Sequence, residues 1–217
     1  ENSFKEAKFV ESISMSDSVM TISDNIFGYG DSLKIHEPSL KKLKIGSNVE
    51  SIGVRAFCHC TELEEVVFSP ALTKIAKKAF YGCNKLKTVD LSGTLVKVIE
   101  NEAFCECTSL ATLHLSNEIE YIGEQSFYDA DLKTVKVPKT AKRIGLGAFY
   151  SSKNSYPNLI IYDSFEPDAV EASEWEYDKE RRVNSILPYA LLGMKSIYGS
   201  FTEYFTVIWK HHYITVL

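Results

Sequence analysis

The stretch IGVRAFCHCTELEEVVFSP, Ile52 to Pro70, decides the fold, because its plan returns along the chain at a fixed interval. Forty-seven residues after Arg55–Phe68, Glu102–Leu115 (EAFCECTSLATLHL) repeats it with the same two cysteines one residue apart. Phe57, Phe80, Phe104, Phe127 and Phe149 follow one another at 23, 24, 23 and 22 residues. Each is preceded by Ala or Ser and, five residues back, by Ile52, Ile75, Ile99, Ile122 or Ile144. Six residues after the first three phenylalanines come Leu63, Leu86 and Leu110, each opening Leu-x-x-apolar-x-apolar, and LKTVKV at 132–137 repeats that motif after a one-residue deletion.

The period reaches further in both directions. Val10, Ile13 and Met15 fit the strand positions, Val19 and Ile22 the next pair, Ile26-Phe27 the Ala-Phe pair, and Gly30 and Leu33 the positions after it. Seven extra residues then precede LKKLKI at 40–45, and SSKNSYPN lengthens the last turn before Leu159 and Tyr162. Seven rungs are expected. A unit this short cannot bury an apolar face alone, so neighbours must stack around one continuous core, which makes a solenoid. Within Leu-x-x-Val-x-Phe the alternate apolar side chains point inward and the intervening ones outward, from a short strand pairing in parallel with its neighbours.

Composition bounds what such a chain does. With 217 residues, 45% hydrophobic and 12% aromatic, it can bury a substantial core. A net charge of -5 and no polybasic run argue against nucleic acid, whose binders neutralise phosphates with a basic patch. No run of 18 apolar residues spans a bilayer. The opening ENSFKEAKF lacks the order of a signal peptide, and with only nine residues before the first rung, a start inside a longer solenoid is expected.

These residues resemble the BspA-like leucine-rich repeats of bacterial and protozoan proteins. Their unit reads roughly Ile-Gly-x-x-Ala-Phe-x-x-Cys-x-x-Leu-x-x-Val-x-Leu-Pro, which 52–70 matches almost position by position. The resemblance covers about residues 10–162; Ala130 and Ser152 replace the cysteine in its last third. It implies an α/β repeat solenoid of the right-handed leucine-rich type, with a parallel strand ladder and irregular or short-helical turns. It also implies a place on a cell surface or in secretion, in adhesion, and it transfers no catalytic residue. The domain division expected is a lead-in at 1–9, the solenoid at 10–162 and, at 163–217, a non-repeat cap or extension that could equally be a dimerisation surface or the start of another domain.

Cys60, Cys83 and Cys107 sit three residues after the repeat phenylalanine, and free cysteine at a stacked turn behaves as a small buried hydrophobe. A zinc shared by the Cys58/Cys60 and Cys105/Cys107 pairs is excluded by distance. The pairs lie two rungs apart, about 10 Å, whereas sulfurs on one zinc lie within roughly 4.6 Å. Stacked side chains pointing the same way rarely reach disulfide geometry, and five cysteines leave one over. Reduced, metal-free thiols are expected, with Cys58 and Cys105 the exposed ones.

Asp90 and His114 share an outward position on consecutive rungs, with Ser92 and Ser116 two residues further on, which places an acid, a base and hydroxyls on one face. Catalysis needs in addition an oriented base, an oxyanion hole and a water-excluding pocket, so the expected reading is a lateral surface pair. No catalytic residue, cofactor or metal is assigned. His36 and His59 stand isolated, and His211-His212 reads as a turn.

Function is therefore expected on the outward ladder: Lys42, Lys44, Glu65, Val67, Thr88, Asp90, Thr112, His114, Thr134 and Lys136. Cationic ends flank an acidic, threonine-rich middle, a surface suited to a protein or a glycan rather than a polyanion. An intracellular scaffold built on the same solenoid is the alternative, which five reduced cysteines suit; the absence of an Asn-x-Ser/Thr sequon takes a little weight from a eukaryotic secreted protein. The tail differs in material. From Asp163 to Glu180 it holds eight acidic residues against Lys179 alone. Helices are expected from Pro167 and across LPYALLGMKSIYG, then strands at YFTVIW and YITVL.

Overall fold

Each rung makes two short strands joined by a turn, then an arch that carries the repeat phenylalanine into the core. The computed structural model describes Phe4, residues 9–27, 38–145 and 147–152, and the backbone of three later strands. The first strand of each rung gives β1 (Ser12–Ser14), β3 (Lys42–Lys44), β5 (Glu65–Val67), β7 (Thr88–Asp90), β9 (Thr112–His114) and β11 (Thr134–Val137). The second gives β2 (Thr21–Ile22), β4 (Ser51–Ile52), β6 (Lys74–Ile75), β8 (Val98–Ile99), β10 (Tyr121–Ile122) and β12 (Arg143–Ile144).

The second strands form one parallel six-stranded sheet in the order β12-β10-β8-β6-β4-β2. This ladder was not part of the sequence expectation. The first strands pair in register as β1-β3-β5 and β7-β9, and β11 continues through β13 (Leu159–Tyr162) to β14 (Thr206–Trp209) and β15 (His212–Thr215). YFTVIW and YITVL form strands as expected, their β14/β15 pair is antiparallel, and His212 lies in β15 opposite Trp209 rather than in a turn. The helices expected from Pro167 and across 187–199, together with Gly30, Leu33, His36 and His211, lie outside the described residues.

Inside the ladder Leu63, Leu86, Leu110 and Leu132 are buried, as are Val89, Leu91, Leu113, Leu115, Val135 and Val137. The phenylalanines form a single file. Phe4, Phe27, Phe57, Phe80, Phe104, Phe127 and Phe149 stack with centroids 5.0, 5.7, 5.1, 5.1, 5.3 and 5.6 Å apart. Such offset pairs contribute about 0.5–1.5 kcal/mol each beyond area burial.

The arches contain no helix among the described residues, and the backbone says why. Residues two before the stacking ring (Asn25, Arg55, Lys78, Glu102, Gln125, Gly147) and two after it (His59, Gly82, Glu106, Asp129) have φ between 51° and 70°. Left-handed residues at that spacing stop the right-handed turn before it can propagate. The amides therefore alternate. Those of Arg55, Phe57 and His59 donate to Lys77, Ala79 and Tyr81 carbonyls of the next rung at 3.0, 2.7 and 2.7 Å, while those of Ala56 and Cys58 close turns onto Gly53 and Arg55. The arch is thus a third rung-to-rung hydrogen-bonded layer.

Backbones approach closely where Ile-Gly recurs. A Cβ on Gly123 would stand 2.4 Å from the Asn101 nitrogen and 2.5 Å from the Glu100 carbonyl carbon, and one on Gly145 would stand 2.3 Å from the Glu124 nitrogen. Gly123→Ala should therefore cost about 1–3 kcal/mol, the ordinary range for forced overpacking. Denaturant unfolding checks it, and an unchanged midpoint would show that rungs four and five slide apart freely.

Candidate partner-binding face

All ten outward ladder residues are exposed. Two columns result. Lys42 stands opposite Glu65 and Thr88 opposite Thr112, while Lys44 stands opposite Val67 and Asp90 opposite His114. Thr134 and Lys136 continue the columns on β11, where they pair with Leu159 and Ile161 of β13. Strand hydrogen bonding is interrupted between β5 and β7 and between β9 and β11, so the face is three panels rather than one unbroken sheet. Across the first panel Lys42 Nζ lies 3.5 Å from a Glu65 carboxylate oxygen, with both side chains well exposed; such pairs are worth ~0–1 kcal/mol. Val67, 46% exposed, is the apolar member of the face.

Asp90 is held by its own strand end. The Ser92 hydroxyl and backbone amide donate to its Oδ1 at 2.7 and 3.0 Å. Those two bonds hold its carboxyl below the usual range against a small opposing effect of burial, with the His114 charge adding in the same direction. Ser116 is not on this face. It is fully buried, and its hydroxyl donates to the Thr94 carbonyl at 2.9 Å, closing the turn between strands. The acid, base and hydroxyl inventory therefore lacks Ser116, and Ser92 is engaged as a turn donor.

The thiols also differ from expectation. Cys58 and Cys105, expected exposed, are buried, and none of the five cysteines is in a disulfide. Cys105 shares its arch position with Tyr81 and Tyr128 on the rungs either side, and the thiol lies near enough to both for its charge to bear on their hydroxyls. Burial, reinforced by Glu106 and Glu102, pushes its pKa from 9.0 up to about 12. The stacked cysteines do more than fill space. Cys83 Sγ donates to the Phe57 carbonyl at 3.3 Å and Cys107 Sγ to the Phe80 carbonyl at 3.2 Å, satisfying the free lone pair of an acceptor buried at each ring. Ala130 cannot do this.

The arch surface went unread in the sequence. Its tyrosines fall one residue after the stacking ring, a position that mixes Tyr and Cys and so shows no simple pattern. Tyr81 donates from its hydroxyl to Glu106, lies edge-on to His59 at 5.3 Å and sits under Lys78 Nζ at 5.2 Å. Burial, then the Glu106 hydrogen bond and charge, raises the Tyr81 pKa. His59 is thus packed rather than isolated. Tyr128 and Tyr150 continue the row, rings 5.4 Å apart. Among the described residues no three His, Cys, Asp or Glu side chains converge as a metal would need, and no helix is long and apolar enough to cross a membrane.

Stacked two-strand rungs, a phenylalanine file and an exposed strand ladder define a leucine-rich repeat solenoid. The chain belongs to the BspA type of leucine rich repeat proteins: that family's model matches residues 35–155 in six copies. Two solved structures are similar. One is a leucine rich cell surface protein from Faecalibacterium prausnitzii A2-165, 29% identical, TM-score 0.60, matched over 76% of this chain and 42% of its own. The other, a leucine-rich repeat protein from Bacteroides ovatus ATCC 8483, is 22% identical with a TM-score of 0.52, over 72% and 44%, and shows the fold alone. The chain spans less than half the length of either. No curated protein matches it.

Proposed function

We propose that this is a non-catalytic binding module of a cell-surface or secreted protein, and that it takes a protein partner on the outward ladder Lys42, Lys44, Glu65, Val67, Thr88, Asp90, Thr112, His114, Thr134 and Lys136. A glycan is the second partner class. The observation that carries the reading is the exposure of all ten residues on successive rungs. A protein needs on the order of 800 Å² from one side, which several adjacent rungs supply. Surface display draws its support from the Faecalibacterium prausnitzii cell surface protein. In the same reading the repeats at 10–162 do the binding and 163–217 cap them.

The test immobilises the protein against a panel of extracellular proteins and glycans. For any binder found, the reversals Asp90→Lys and Lys136→Glu should change the association rate and its salt dependence, since exposed charges steer encounter. Lys136→Glu should leave the melting midpoint where it was, while Asp90→Lys also gives up the two Ser92 bonds and should cost about 1 kcal/mol. Hydrogen exchange on the complex locates the contact. Protection confined to residues beyond Asp163, with the ladder untouched, would make the repeats a spacer and overturn the assignment.

A further inference from the structure

Charge is sorted by rung in the later part of the solenoid. Rung five, residues 110–131, carries Glu118, Glu120, Glu124, Asp129 and Asp131 and no Lys or Arg. Rung six, residues 132–150, carries Lys133, Lys136, Lys139, Lys142 and Arg143 and no acid. The two layers meet in pairs. Lys133 Nζ lies 2.7 Å from Asp131 Oδ1, and Lys142 Nζ lies 2.7 Å from Glu120 Oε2. The Arg143 guanidinium stands over the Tyr121 ring at 5.6 Å. Among the described residues no carboxylate pairs with Lys136, Lys139 or Arg143, and all three are exposed. Rung six is a basic layer neutralised from the rung-five side.

The strand order on the far side of rung six bears on what neutralises the rest. Each described rung runs from a first strand through a turn to its second strand, and returns by the arch to the next first strand. β13 and β14 are parallel neighbours beyond β11, with Tyr162 opposite Val137 on one side and Trp209 on the other. A crossover between parallel neighbours takes one hand in nearly every sheet, the hand that carries the other rungs past the second strands. The connection from Tyr162 to Thr206 opens with Asp163–Glu180, the stretch of eight acids against Lys179 alone, which lies outside the described residues.

We propose that the basic outer edge of rung six, Lys139, Lys142 and Arg143, is a docking surface whose occupant is the acidic segment 163–180 of this chain. Two independent observations meet in it. Charge complementarity selects an acidic occupant, and the hand of the crossover brings this one past β12 rather than past the ladder face. A cap covers the apolar end of the last rung, whereas this contact lies on the polar outer side. It does not require that the ladder face bind a partner. Its consequence is that the chain neutralises its own most basic rung and keeps other polyanions off it, while the ladder face stays open.

The test treats the whole protein with a water-soluble carbodiimide, which joins a lysine amine to a touching carboxylate, and maps the cross-links by peptide mass spectrometry. Links from Lys139 or Lys142 to carboxylates of 163–180 are expected within one chain. Their yield should fall about tenfold between about 0.1 M and about 1 M salt, over which the screening length shrinks from about 10 Å to about 3 Å. The Lys133–Asp131 and Lys142–Glu120 links, held by the fold at 2.7 Å, are the internal control. Lys139→Glu with Arg143→Glu should lower the yield from Lys142 to 163–180, and adding Glu166→Lys and Asp168→Lys should bring back a link with amine and carboxylate exchanged. Control links without any link to 163–180, or a yield that neither salt nor the reversals change, would overturn the proposal. So would links that join only different chains in a mixture of isotope-labelled and unlabelled protein, since the occupant would then be a second copy.

Discussion

Phe104→Ala should remove about 3–5 kcal/mol of stability, the range for truncating a buried aromatic, and lower the thermal midpoint by ~6–20 °C in a chain of this length. The ring is fully buried and is stacked on both sides, against Phe80 at 5.1 Å and Phe127 at 5.3 Å. Its removal opens a cavity that neither neighbour can fill without leaving its own arch, whose amides are fixed to the next rung. Because stability in a solenoid is carried by nearest-neighbour interfaces, the loss should spread, with amides on rungs three to five exchanging faster together. Val67→Ala, on the exposed face, is the control and should stay within about 0.5 kcal/mol. A Phe104→Ala protein melting within a degree or two of the parent would mean that the phenylalanine file does not hold the rungs together.

Alkylation of Cys105 should be about a thousandfold slower in the native protein than in the unfolded one, because the thiolate is the nucleophile. Burial carries the pKa from 9.0 to about 12, and below pH 9 a rise of that size leaves about a thousandth of the thiolate that the unfolded chain would hold. Cys60 and Cys83 are raised by the same cause, burial. Timed iodoacetamide labelling at about pH 8, just below the ordinary thiol pKa, with peptide mass spectrometry reads each cysteine separately. Prompt modification of Cys105 in the folded protein would overturn its burial in the arch. The linkage to stability has a definite sign. The folded pKa lies above the unfolded one, so the contribution of the neutral thiols is fully present below pH 9 and is lost as pH rises from there through the folded value. Base titration should show stability falling in that window.

The two results bear on function differently. The phenylalanine file sets the rung spacing, and with it the interval at which Thr88, Thr112, Asp90 and His114 are presented. The buried thiols contribute no chemistry to the surface, so in the proposed reading the charged and hydroxyl groups of the ladder do the recognising. Glu65 and Asp90 in the middle and Lys42, Lys44 and Lys136 toward the ends can match a partner of alternating charge.

What the sequence determined by itself is the period and the inward set. A 22- to 24-residue unit has no core of its own, so Ile52, Phe57, Leu63 and their counterparts could be satisfied only by stacking, and alternation within Leu-x-x-Val-x-Phe assigned the outward columns before any coordinates. The tertiary structure alone decided what depends on the neighbouring rung. Whether Ile75 lies in a turn or a strand depends on carbonyls one period away, so the six-stranded ladder left no local signal. Cys105 reads as exposed along the chain and is buried in the stack between the rungs that carry Tyr81 and Tyr128. Ser116 follows the outward alternation on paper, yet turns in to the Thr94 carbonyl of the rung before. In each case the deciding contact joins residues about one period apart, where local pattern carries no information and stacking supplies all of it.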